Sequence, residues 1–187
     1  MLPGHATADG TARYRDRFPQ LRDAGHFRVP KNVPGVDELH LSSIGLGTYL
    51  GETDEAADRA YTDSISAALR SGINVLDTAI NYRHQRSERN IGAALKTLVD
   101  SGELRRDEAL VCTKAGYLSF DGNPPADPSA YFTREYVDPG ILDPKDVEDT
   151  HVVRVPKTYP AYFGTYDRFH VIRNFLDQFE NLILVAM

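Results

Sequence analysis

The stretch Ser71-Gly72-Ile73-Asn74-Val75-Leu76-Asp77-Thr78-Ala79-Ile80-Asn81-Tyr82 sets a helix-stopping glycine, a short apolar run, a carboxylate and a phenol in one line. Val75-Leu76 has the length of a buried strand, so Asp77 and Tyr82 fall just past its carboxyl end. Upstream, Ala57, Tyr61, Ile65 and Ala68 recur at helical spacing behind Asp54 and Glu55, whose charges suit a helix N-terminus, and Gly72 can end the helix. This predicts a helix over 54–71. Downstream, Ser87 opens a second helix with Ile91, Leu95, Leu98 and Val99 on one face, and Gly102 stops it. Strands at Gly45–Tyr49 and Ala109–Thr113 bracket the set. Two β-helix-β units in succession predict an α/β fold with a parallel sheet and right-handed crossovers, either a (β/α) barrel or an open doubly wound sheet.

In such a sheet the strand ends and the loops after them form the working face. Asp77, Tyr82 and Lys114, the last closing Leu110-Val111-Cys112-Thr113-Lys114, bring a carboxylate, a phenol and an amine there, which suggests acid–base chemistry. Blander readings stand beside this one: an Asp77–Lys114 ion pair tying two strand ends, and Tyr82 as a packed loop aromatic. Gly47-Thr48-Tyr49 is either a cofactor contact or a tight strand exit where glycine relieves crowding. Ser87-Glu88-Arg89 reads as a helix start. His84, His151 and His170 have no metal-ligand spacing, so no metal site is expected.

Residues 1–26 are mostly polar, without a sustained apolar period, and read as a flexible leader. Phe27-Arg28-Val29 and Leu39-His40-Leu41 flank a Pro- and Gly-bearing turn, as in a hairpin. From Gly116 to Pro144 the chain is rich in Pro, Gly, Asp and Tyr and reads as a long loop with one helical turn, a lid or a boundary. Beyond residue 150 the texture changes. A strand is expected at Val152–Val155, then an aromatic turn near Tyr159–Tyr162, a helix carrying Phe169, Ile172, Leu176 and Phe179, and a strand at Leu182–Val185. The expected division is a leader at 1–26, a main unit at 27–147 and a C-terminal segment at 148–187.

The 187 residues, 41% hydrophobic and 26% charged, suit a soluble globular chain with one core. A net charge of −6 argues against nonspecific nucleic-acid binding, which rests on clustered basic residues, and favours a small-molecule partner. The single cysteine, Cys112, cannot form an internal disulfide and fits a reducing compartment. With neither an apolar signal stretch nor a run long enough to span a bilayer, the chain is expected to be cytoplasmic.

Ile44-Gly45-Leu46-Gly47-Thr48-Tyr49, the segment 71–82, Ser87-Glu88 with Ile91-Gly92, and Thr113-Lys114 together resemble the aldo/keto reductase family over residues 38–147, with several motifs in the right order and spacing. The resemblance implies a TIM barrel, here a partial (β/α)8 barrel of about three βα units, and NADPH-dependent reduction of a carbonyl to an alcohol. It implies that Tyr82 donates a proton to the carbonyl oxygen. A phenol, with a reference pKa of about 10, is a poor acid at neutral pH. An ammonium beside it, such as Lys114, stabilises the phenolate, and Asp77 keeps that ammonium charged and oriented. Gly47, Thr48, Tyr49 and Asp77 are the implied cofactor contacts. The family's histidine at the end of the next strand has no counterpart, because His151 lies in Glu148-Asp149-Thr150-His151-Val152-Val153-Arg154, which matches no part of that strand. Residues from 152 onward, including Val153–Pro160, Tyr162, Tyr166 and Asn181–Val185, resemble the C-terminal region of FAD-dependent amine-oxidase-like proteins, giving a strand-helix-strand segment. The expectation is a truncated reductase, weakly active or inactive. The alternative is a non-catalytic interaction module stable only as an oligomer through exposed sheet edges.

Overall fold

The alternating pattern around Val75 builds a parallel sheet in the computed structural model, which describes residues 2–114 and 117–141 together with short strands at 152–154 and 163–165. The chain opens with α1 (Ala8–Asp16) and α2 (Pro19–Asp23), followed by β1 (Phe27–Arg28) and β2 (Leu41–Ser42). Then come β3 (Leu46–Gly47), α3 (Glu55–Arg70), β4 (Val75–Asp77), α4 (Arg86–Asp100) and β5 (Leu110–Cys112). The strands β3, β4 and β5 pair in that order, all parallel, with Leu46 beside Leu76 and Leu76 beside Val111.

That register separates the two faces of the sheet. Leu46, Leu76 and Val111 lie in one row and pack into the main core with Ile65 and Leu69 of α3 and Ile91, Ala94, Leu95 and Leu98 of α4. Because side chains alternate along a strand, Asp77, with its neighbours Gly47 and Cys112, belongs to the opposite face. At the amino end of β5, Leu110 on that opposite face is covered by Ala6, Val36 and Leu39, with Leu41 alongside. The hairpin thus plugs one end of this face and leaves the carboxyl ends of the strands for the site.

Helix α3 begins where the sequence placed it, with the Asp54 side chain accepting from the Ala57 amide at 2.8 Å. Helix α4 starts differently. Its first turn follows Gln85, and Ser87, expected as the cap, is buried and donates its hydroxyl to the Thr48 carbonyl at 2.6 Å. As the second residue of the helix, Ser87 lies inside the first turn and its oxygen is not placed to accept from the amides a cap serves.

The segment expected as a flexible leader is helical. Thr7 caps α1 by accepting from the Gly10 amide at 3.0 Å, and Tyr14 is fully buried with its hydroxyl donating to the Leu69 carbonyl at 2.6 Å. Tyr14, Phe18 and Phe27 form an aromatic cluster over the helix layer. Gly10 is required by contact: a β-carbon there would lie 2.0 Å from the Asp107 carbonyl oxygen. The hairpin is present, with Phe27 opposite Ser42 and Arg28 opposite Leu41. It is joined to the sheet by Asn74, whose side chain accepts from the Ser42 amide and donates to the carbonyls of His40 and Glu108.

After β5 come β6 (Tyr117–Leu118), the short helix α5 (Pro128–Phe132) and a single π-helical turn at Thr133–Val137, more structure than the one helical turn expected. The strands β7 (Val152–Arg154) and β8 (Phe163–Thr165) complete an antiparallel sheet with β6 in the order β6-β8-β7. The helix read at Phe169–Phe179, the strand at Leu182–Val185, the turn at Tyr159–Tyr162 and His151 lie outside the described residues.

Candidate active site

Pairing between the parallel strands continues past their formal ends and sets the floor of the site. The Thr48 amide donates to the Asp77 carbonyl, the Thr78 amide to Cys112, and the Ile80 amide to Lys114, at 3.1, 2.8 and 3.2 Å. Asp77, Lys114 and the chain leading to Tyr82 are therefore fixed by backbone hydrogen bonds before any side chain is considered. The Lys114 ammonium donates to both carboxylate oxygens of Asp77 at 2.8 Å and to the Thr78 carbonyl at 2.9 Å. Three acceptors suit the three donors of an ammonium. Its nitrogen also lies 4.8 Å from the centre of the Tyr82 ring, so the phenol has a cation beside it.

Burial acts to lower the Lys114 pKa, but the hydrogen bonding and charge of Asp77, with the contribution of Tyr82, outweigh it and hold the ammonium above its ordinary value. Lys114 is consequently a fixed positive charge at neutral pH, unsuited to act as a base. The Lys114 side chain is 14% exposed and that of Asp77 44%, so the pair closes the site from below while Asp77 still borders solvent. Burial and the Asp77 charge push the neighbouring Cys112 thiol up, which keeps it protonated and unreactive.

The three residues at the β3 exit separate into different roles. No atom comes within 4 Å of a β-carbon built on Gly47, so the crowding explanation finds no neighbour there, and the bare peptide borders open space. Thr48 is fully buried, and both its amide and its hydroxyl donate to the Asp77 carbonyl, so it offers no free donor to a ligand. Tyr49 is 61% exposed and meets Tyr82 edge-on at 4.9 Å, while Leu50 beside it is 73% exposed. Together Gly47, Tyr49, Tyr82 and the Asp77–Lys114 pair outline an open surface with an aromatic wall and a charged floor. The planar ring of a nicotinamide suits such a bare peptide and aromatic edge, so the residues present fit that part of the group.

Behind Tyr82 the backbone turns through three consecutive left-handed residues, Arg83, His84 and Gln85, with φ of 49°, 54° and 72°. Side chains with a β-carbon disfavour this region by about 1–2 kcal/mol each, so the run needs support from outside itself. Asp58 of α3 provides it. One carboxylate oxygen accepts from the Arg83 guanidinium at 2.7 Å and from the Asn90 amide at 3.1 Å, and the other accepts from Arg86. Arg83 also donates to the Glu52 carbonyl at 2.8 Å and lies 4.7 Å over the Tyr61 ring. On the other side, Gln85 donates to the Phe120 carbonyl, Arg86 to the Gly122 carbonyl, and the Gly122 amide to the His84 carbonyl. Although burial disfavours the charged form of Asp58, hydrogen bonds from Asn90, Arg83 and Arg86 hold its pKa below the usual value. Glu88 sits nearby and accepts from the Thr113 hydroxyl at 2.5 Å; burial pushes its carboxyl up despite that bond.

Sequence reasoning found the Asp77–Lys114–Tyr82 grouping but not Asp58, Arg83, Arg86 or Asn74. The only trace of the first three was a pair of arginines bracketing a polar, non-periodic step, with an acidic residue on the preceding helix. Among the described residues no three potential metal ligands stand together, and no helix is long and apolar enough to cross a membrane.

An α/β chain with a charged acid–base grouping at the ends of parallel strands defines the class, and comparison supplies the family. Residues 43–142, more than half of the chain, match the aldo/keto reductase family, and the chain belongs to it. It is 36% identical over 97 residues to an NADH-specific methylglyoxal reductase of Escherichia coli strain K12, covering 47% of this chain and 27% of that protein. It is also 36% identical over 78 residues to aldose reductase B of Dictyostelium discoideum, covering 42% of this chain and 23% of that protein. A solved aldo-keto reductase, AKR11C1 from Bacillus halodurans in its holo form, is 33% identical, with a TM-score of 0.38 over 60% of this chain and 34% of its own. The chain thus spans about a quarter of the length of these two curated relatives.

Proposed function

We propose that this chain supports the reduction of a small carbonyl compound to an alcohol with NADPH, on a barrel-type sheet of which β3, β4 and β5 form part. The observation that carries the reading is the Lys114 ammonium, clamped by both oxygens of Asp77 and lying 4.8 Å from the Tyr82 ring at the strand ends. A reduced nicotinamide, when bound, supplies hydride to the carbonyl carbon. Tyr82 gives the proton to the carbonyl oxygen, and the fixed charge of Lys114 stabilises the phenolate left behind. Asp77 keeps Lys114 charged and aimed, and Gly47 and Tyr49 would hold the planar end of the cofactor. Family membership and the names of the relatives, which concern methylglyoxal and aldoses, support a small aldehyde as substrate.

The test is NADPH oxidation with methylglyoxal, followed by absorbance for wild type and Tyr82→Phe, with NADH run in parallel. Turnover in wild type that falls at least about 100-fold in the variant is the expected outcome for loss of a general acid. Equal rates in the two proteins would sink the acid role of Tyr82. A saturable fluorescence change on titrating NADPH into either protein would report the cofactor site separately from the chemistry.

A further inference from the structure

We infer that Asp58 is a positioning residue for Tyr82, acting through the two arginines that bracket the left-handed turn behind it. The inference rests on the acid–base reading of Tyr82 for its effect on turnover, but its geometry stands independently. Tyr82 is followed directly by three residues at positive φ, none of them glycine, so the phenol is attached to a backbone that its own sequence does not favour. Arg83 opens that run and Arg86 follows it immediately. Asp58 binds both, one with each carboxylate oxygen, and so spans the turn from end to end.

The charges around Asp58 are consistent with a dedicated clamp. Arg83 is almost wholly enclosed, its side chain 1% exposed, and it also donates to the Glu52 carbonyl and lies over the Tyr61 ring. Arg86 carries the clamp onward to the Gly122 carbonyl, and Asn90 contributes a neutral donor to the same Asp58 oxygen that Arg83 uses. Removing the Asp58 charge leaves the two guanidiniums that share its carboxylate without the anion that joins them, and like charges gathered at one site repel. Lys114 is fixed from a different direction, by Asp77 and the Thr78 carbonyl. Disturbing Asp58 therefore moves Tyr82 relative to Lys114 rather than moving both together.

The experiment uses the full chain with tyrosine labelled at the Cζ carbon and observed by NMR, the Tyr82 signal being assigned by its loss in Tyr82→Phe. Asp58→Asn keeps the shape and loses the charge. Arg83→Lys keeps the charge and loses the two-pronged guanidinium, and serves as a second variant if the first does not fold. The expected result is a displaced Tyr82 signal, accompanied by its ring neighbour Tyr49 and by Tyr61 beneath Arg83, with the signal of Tyr14, which is anchored at the other end of α3, in place, and, with methylglyoxal and NADPH, a fall in kcat of about 10-fold or more at unchanged NADPH affinity. A Tyr82 signal at its wild-type position in folded Asp58→Asn or Arg83→Lys overturns the inference, whatever the turnover. If the signal moves while Tyr82→Phe turns over like wild type, the positioning holds and the acid role of Tyr82 fails.

Discussion

Lys114 shows how much of the site is decided by single side chains. An amine on a flexible stem becomes a fixed cation because Asp77 offers both oxygens and Thr78 its carbonyl, and a phenol then borders that cation. Glu88 is the opposite case, a carboxyl held by one hydroxyl and raised by burial. Its folded pKa lies above its ordinary 4.5, so below that pH it carries no penalty, and as pH rises through 4.5 the unfolded chain ionises first and gains. Glu88→Gln keeps an acceptor for Thr113 and removes that penalty. The variant is therefore expected to be as stable as wild type near pH 4 and more stable at pH 7, as read from urea midpoints at the two pH values; a lower midpoint at pH 7 would contradict this. Asp77 and Lys114 were legible in the sequence because each ends a short apolar strand. Tyr82 was legible only through the motif around it. Asp58 was not legible, since nothing in an amphipathic helix says which solvent-side carboxylate will meet an arginine 25 residues later.

Helices α3 and α4 and strands β4 and β5 could be read closely because their apolar residues recur at the spacing their geometry demands, Ile65 with Leu69 and Ile91 with Leu95 and Leu98. Helix α1 could not. Its buried residues are Gly10, Thr11 and Tyr14, two of them not apolar, so no hydrophobic stripe announces it. What holds it is contact: Gly10 lets it approach the Asp107 backbone, and Tyr14 anchors it to the end of α3. Tyr14→Phe keeps the packing and leaves the Leu69 carbonyl without its partner, an expected loss of about 1–2 kcal/mol measured by denaturant unfolding. A loss within error of zero would mean that packing alone seats the helix. The start of α4 is a related lesson, since Ser87 satisfies the cap pattern yet falls inside the first turn, where its hydroxyl donates to the Thr48 carbonyl.

Across the whole molecule, the described parallel sheet has three strands, and within it β3 and β5 pair on one side each. Ile44, Tyr49 and Leu50 are exposed near the β3 side. We expect self-association through this edge, because unpaired strand groups beside exposed apolar side chains favour pairing with another chain. Size-exclusion chromatography over a hundredfold concentration range is expected to show a concentration-dependent shift that Leu50→Lys reduces; a constant monomeric elution volume would refute it. The N-terminal helix carries a different consequence. Arg13 meets Asp107 across 94 residues, Tyr14 meets Leu69 across 55, and Thr7 reaches the Asp107 carbonyl. Helix α1 is thus made before its partners and seated late. During synthesis it waits for both βα units to emerge and assemble before its partners exist, so its docking should report assembly of those units rather than the start of folding.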